Sequence, residues 1–120
     1  MPKVLISDAM DDIAEKILLS NNIEVDVITN FTPDELNQNI NSYDGLIVRS
    51  ATKVNKEVIE NAKNLKVVGR AGAGVDNIDI NAAKQKNIVV MNTPGGNTNA
   101  TAEHTLALLL SLSRKISKAD

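Results

Sequence analysis

Five short apolar runs recur along the chain, each separated from the next by a segment of helical character, and this alternation narrows the fold sharply. The runs are KVLIS (Lys3–Ser7), IEVDVIT (Ile23–Thr29), GLIVR (Gly45–Arg49), KVVGR (Lys66–Arg70) and IVVMN (Ile88–Asn92). Only the second alternates apolar with polar residues, as a strand with one wet face would. Strands without alternation, separated by helices, imply a parallel sheet covered on both faces. Right-handed crossovers then give a doubly wound α/β domain, and five strands suggest the flavodoxin-like order 2-1-3-4-5.

The helical segments carry their own boundary signals. DDIAEKILLSN places Ile13, Ile17 and Leu18 on one helical face. Thr32-Pro33-Asp34-Glu35 is a capping box with proline at the first helical position. Asn55 is an N-cap for a helix from about Lys56 to Lys63, and Asp79 precedes a short helix from about Ile80. Asn22, Asn64 and Asn87 each stand just before a strand, where a left-handed residue can end a helix. The tail ATAEHTLALLLSLSRKISKAD reads as one long helix, apolar nearly all round between Leu106 and Leu112. It is either a last helix with a broad apolar stripe or a helix held between this domain and another.

Composition removes several classes of function. The 120 residues suffice for one compact domain. Phe31 and Tyr43 are the only aromatic residues, so the core must be aliphatic and a base-stacking platform is lacking. A net charge of −2 leaves no basic footprint for nucleic acid. The absence of cysteine excludes disulfides, thiol catalysis and cysteine-held metal, and fits a reducing compartment. MPKVLIS has neither the length nor the cleavage site of a signal peptide, and the longest apolar block, Leu106–Leu110, is too short to span a bilayer. The expectation is a cytoplasmic domain with no membrane partner.

Ligands of an open α/β sheet bind beyond the carboxyl ends of its strands. That edge carries Ser7 and Asp8, then Arg49, Ser50 and Ala51, then Arg70 with the loop AGAG, then Asn92 and the TPGGN turn. Two of the three arginines thus close strands at one edge. Arginine's fork of donors suits carboxylate or phosphate, and glycine turns present backbone N–H groups to an anion. The competing explanation is that both arginines form structural ion pairs with Asp8, Asp44 or Asp76. The glycine loop, Gly69-x-x-Gly72-x-Gly74, is not the dinucleotide fingerprint G-x-G-x-x-G, and the next strand ends in Asn92 where an acid would hold a ribose. The loop is therefore expected to grip a substrate. Asp8, Asp11 and Asp12 read as a solvated helix start. His104, the only histidine, is expected to pack or cap, and no residue set offers a catalytic base or a metal site.

Three segments in order, GLIVRSATKV, VVGRAGAGVDNID and VMNTPGGNTNATAEHTLALLL, resemble the D-isomer-specific 2-hydroxyacid dehydrogenases, and the resemblance runs from VLISD to the last helix. VRSATKV and GRAGAGVDN are similar to the members acting on 3-phosphoglycerate. The resemblance implies a substrate-binding domain at residues 1–97 and a helix at 98–120 leading to an NAD-binding Rossmann domain beyond this chain. It implies substrate contacts from Arg49, Ser50, Arg70, Gly72, Ala73 and Asn97, with Ala73 and Asn97 also near the cofactor. Catalytic residues would lie in the further domain, so this chain alone would be inactive. The full enzyme would be a homo-oligomer that oxidises 3-phosphoglycerate with NAD at the start of serine synthesis. The alternatives are the substrate domain of a glycerate- or glyoxylate-type sibling, or a stand-alone anion-binding module.

Overall fold

A computed structural model describes residues 2–9, 12–72, 76–93 and 98–119, with residues 98 and 113–119 described by their backbone only. Its strands are β1 (Lys3–Ile6), β2 (Glu24–Val27), β3 (Gly45–Val48), β4 (Val67–Arg70) and β5 (Val89–Asn92). All pair in parallel in the order β2-β1-β3-β4-β5, as the run pattern predicts. In register, Val48 stands beside Arg70 and Arg70 beside Asn92, so the polar strand ends meet at one edge.

Successive strand residues point to opposite faces. Leu5, Leu46, Val48 and Val68 pack beneath α2 (Pro33–Asn39), a 3-10 turn at Ile40–Ser42, α3 (Lys56–Asn61) and α4 (Ile80–Gln85). Val4, Ile6, Ile47 and Val67 pack on the other side with α1 (Ile13–Ser20) and α5 (Thr98–Ala119). Two buried faces are why the central strands lack alternation. β2, four residues long like every other described strand, is shorter than the Ile23–Thr29 run.

α5 comes close to the sheet where β3 and β4 present glycines. A Cβ on Gly69 would lie 2.9 Å from Thr105 Oγ1 and 3.0 Å from Thr101 Cγ2, and one on Gly45 would lie 3.1 Å from Val4 Cγ2 and 3.4 Å from Leu109 Cδ1. Thr101, Ala102, Thr105 and Leu109 form the buried stripe of the helix. The Thr101 and Thr93 hydroxyls hydrogen-bond to each other, and Thr105 Oγ1 approaches Met91 Sδ at 3.9 Å. Leu110 is 42% exposed. The apolar circumference expected of this helix therefore resolves into one buried stripe and an uncovered flank.

Most boundary signals act as expected. Thr32 Oγ1 accepts from Glu35 N at 3.2 Å while Thr32 N donates to Glu35 Oε1 at 3.0 Å, completing the capping box. Asn55 Oδ1 and Asp79 Oδ1 each accept from the amide three residues on, Val58 N and Ala82 N, both at 3.0 Å. Asn22 and Asn87 adopt φ of 63° and 60° after α1 and α4. Asn64 does not take this conformation. α3 stops at Asn61, short of Lys63, and Asn64 Nδ2 instead donates to Asn41 O at 2.7 Å, tying the connection to the 3-10 turn. Ile13 also departs from expectation: it is exposed, because α1 turns Ala14 and Leu18, one helical turn apart, inward.

Gly69→Ala is expected to lower stability by about 1–3 kcal/mol in urea unfolding, through overpacking against α5. Combined with Thr105→Ala, which removes the nearest obstructing atom, the loss should be smaller than the sum of the two single effects.

Candidate functional site

With both faces covered, the chemistry stands at the carboxyl edge, and its geometry begins with Asp8. Its carboxylate is buried; Oδ2 accepts from Arg49 N at 2.6 Å and Thr52 N at 3.1 Å, and Oδ1 accepts from the Thr52 hydroxyl at 2.5 Å. This corrects the reading of Asp8 as part of a solvated acidic helix start. The turn after β3 leaves amides with no strand partner, and a buried carboxylate satisfies them. Asp12 does behave as a surface residue, pairing with Lys16 at 3.3 Å. Asp11 lies outside the described residues.

Asn77 binds the same turn from the other side. Its Nδ2 donates to Arg49 O at 2.7 Å and Thr52 O at 2.6 Å, and its Oδ1 accepts from Arg70 Nη1 at 2.8 Å. The backbone reinforces this clamp: Val54 N donates to Asn77 O, and Asp79 N to Val54 O, both at 2.8 Å.

The two arginines differ. The Arg70 side chain is only 11% exposed, and its Nη1 donates to the exposed Asp76 carboxylate as well as to Asn77. Its Nε is buried without a hydrogen-bond partner among the described residues. Arg70 thus makes one of the ion pairs that a structural explanation required, while Nε is not used by any described residue. Arg49 is exposed; its Nη1 donates to Ala9 O at 3.3 Å, and among the described residues its guanidinium meets no carboxylate. Ser50, beside it, is exposed. The hydrogen bond from Arg70 holds the Asp76 carboxyl below the ordinary aspartate range, helped by a backbone hydrogen bond and by the positive charge nearby.

Gly72 follows Arg70 at φ 154°, a backbone setting that side chains rarely adopt. Its N–H, expected to face a carboxylate, donates to Arg70 O at 3.1 Å. Ala73 and Asn97 lie outside the described residues. His104 is exposed within α5, so the packing or capping role expected of it falls away. Among the described residues no group of three His, Asp or Glu could hold a metal ion, and no described helix is long and apolar enough to cross a membrane. A cleft of about 360 Å³ opens beside the site, lined by Ser7, Asp8, Thr32, Thr52 and Asn55 among others; neither arginine lines it.

A single sheet edge therefore gathers an exposed arginine and a nearly buried one whose Nε has no partner among the described residues, both suited to an anion. Residues 4–117 match the family described as D-isomer specific 2-hydroxyacid dehydrogenase, catalytic domain. The chain belongs to this family. Within it, the chain is 52% identical over 118 residues to the D-3-phosphoglycerate dehydrogenase of Archaeoglobus fulgidus, covering 98% of this chain and 22% of that protein. It resembles the crystal structure of a Pyrococcus horikoshii protein at TM-score 0.75 and 38% identity, covering all of this chain and 36% of the other. The NAD+-bound 3-phosphoglycerate dehydrogenase of Entamoeba histolytica matches at TM-score 0.71 and 39% identity, covering 78% of this chain and 33% of the other. The chain thus spans about a fifth of the length of the curated dehydrogenases it matches, 22% in the first case.

The sequence reading singled out both arginines of this dehydrogenase domain and missed the residues that organise them. Asp8 stood in a run of acids, and Asn77 at the end of a glycine loop, where a polar residue is commonplace. The available signal was topological: parallel strand ends leave amides and carbonyls that some side chain must satisfy.

Asp8→Ala is expected to destabilise the domain by about 1–3 kcal/mol for each donor left buried, measured by urea unfolding. Carboxyl NMR titration should place Asp76 below its ordinary value of 3.8, and Arg70→Ala should bring it back up. Because the folded value is depressed, whatever the pair contributes to stability is present above the ordinary value and is lost as pH falls through the depressed one.

Proposed function

We propose that this chain is the substrate-binding domain of an NAD-dependent D-3-phosphoglycerate dehydrogenase, which oxidises 3-phosphoglycerate to 3-phosphohydroxypyruvate at the entry to serine synthesis. The observation that carries this reading is Arg70, nearly buried at the end of β4 with Nε unpaired among the described residues, one strand from the exposed Arg49. A substrate with a carboxylate at one end and a phosphate at the other needs two cations on one edge, and a planar fork suits each group. Ser50 stands ready as a hydroxyl partner, and Ala73 is the position whose backbone amide is assigned to the same anion. Further support is the 52% identity to a D-3-phosphoglycerate dehydrogenase.

Residues 1–97 form the substrate domain in this reading, and the helix at 98–120 leads toward a nucleotide-binding domain. The uncovered flank of α5 at Leu110 is consistent with such a neighbour. The residues described here do not fit a dinucleotide by themselves. The glycine spacing after β4 differs from the phosphate-binding fingerprint, Gly72 N–H is turned back on Arg70 O, and β5 ends in Asn92 where an acid would hold a ribose. NAD, bound in the longer protein, would supply the hydride-accepting chemistry, and the part of this chain would be to bind and orient the acid. Ala73 and Asn97 are the positions assigned nearest the nicotinamide.

Titration of the chain with 3-phosphoglycerate should shift the amides of residues 49–52 and 70–72, and Arg49→Ala should weaken binding. Shifts confined elsewhere, or an unchanged affinity in that variant, would remove the assignment. The chain alone should not reduce NAD with any 2-hydroxy acid; turnover that survives removal of contaminants would show that its own residues suffice.

A further inference from the structure

We infer that Asn77 is a positioning residue that couples the two arginines into one anion site, an inference resting on the reading of Arg49 and Arg70 as substrate ligands. Its primary amide uses both kinds of group at once. The NH2 spans the carbonyls of Arg49 and Thr52, and the oxygen takes a hydrogen bond from Arg70 Nη1. Asn77 is buried, with 7% of its surface exposed, so no water readily replaces these partners. One side chain therefore fixes the turn that carries Arg49 and Ser50 and, at the same time, the rotamer of Arg70.

The chemistry demands an amide at this place. Aspartate would keep the acceptor for Arg70 but set lone pairs against two carbonyl oxygens. Alanine would release the guanidinium and both carbonyls. Asp8 holds the amides of the same turn, so with the Asn77 side chain removed the turn remains tethered by its N–H groups to β1 and by the Val54 backbone bonds, but loses its side-chain link to Arg70. The predicted defect is in the spacing between the two cationic groups, with the sheet intact. The Asp76 carboxylate is not equivalent, since it is 86% exposed and bonds only Arg70 among these groups.

The test follows the arginine Nε–Hε and backbone amide resonances of wild type, Asn77→Asp and Asn77→Ala, free and titrated with 3-phosphoglycerate. Asn77→Asp should leave the Arg70 Nε–Hε slow to exchange with water, shift the amides of residues 49–52, and weaken binding about tenfold, the effect of roughly one lost buried hydrogen bond. Asn77→Ala should in addition make the Arg70 Nε–Hε exchange rapidly, while the amides of β1 and β3 keep their dispersion. Where the alanine variant does not fold, the aspartate variant carries the comparison. Affinity and resonances of residues 49–52 and 70 equal to wild type in either folded variant would overturn the inference, whatever the change in melting temperature. If wild type shows no shifts with 3-phosphoglycerate, the substrate reading fails instead. The free-protein spectra then still decide whether Asn77 positions the turn and Arg70.

Discussion

Apolar cover on both faces of a parallel sheet is the constraint from which the rest of this molecule follows. Val4, Ile6, Ile47 and Val67 are shut in beneath α1 and α5, and Leu5, Leu46, Val48 and Val68 beneath the other helices. With no face left for a ligand, polar chemistry is confined to the strand ends, and the parallel register brings Val48, Arg70 and Asn92 to that edge side by side. The close seat of α5 depends on a matching concession. Gly45 and Gly69 give up side chains so that Leu109, Thr101 and Thr105 can approach the backbone.

The same constraint creates a debt of hydrogen bonds at the edge, because a chain leaving a central strand has donors and acceptors on both sides and no next residue of strand to meet them. Asp8 answers for the donors of the turn after β3, and Asn77 for its acceptors. A carboxylate can only accept and a primary amide can do both, so each residue type matches its task. Arg70 is drawn into this network by one nitrogen, and another has no partner among the described residues.

Much of this was legible in the linear sequence. Aliphatic runs without alternation led to the parallel sheet and its order, Thr32-Pro33-Asp34-Glu35 to the start of α2, and Asn22 and Asn87 to left-handed helix ends. These are local matters of periodicity, capping and backbone preference, and neighbours in sequence suffice to decide them. Asn64 shows where that logic stops. Its residue type permits a left-handed turn, but a carbonyl at Asn41, far off in sequence, offered its side chain a partner and the chain took that instead. His104 and Ile13 are of the same kind, since which side of a helix faces inward is settled by the neighbours it meets.

By itself, then, the sequence determined the class of fold, the strand order, most helix starts and the gathering of Arg49 and Arg70 at one edge, because each rests on a short-range pattern or on strand topology. Tertiary structure alone decided that Asp8 is buried and structural, that Asn77 joins two strand ends, that Arg70 is shielded while Arg49 is open, and which stripe of α5 is covered. Those outcomes depend on which unpaired backbone groups come within hydrogen-bond reach and on how closely a helix can approach a glycine. Both are distances between residues far apart in the chain, which no local pattern encodes.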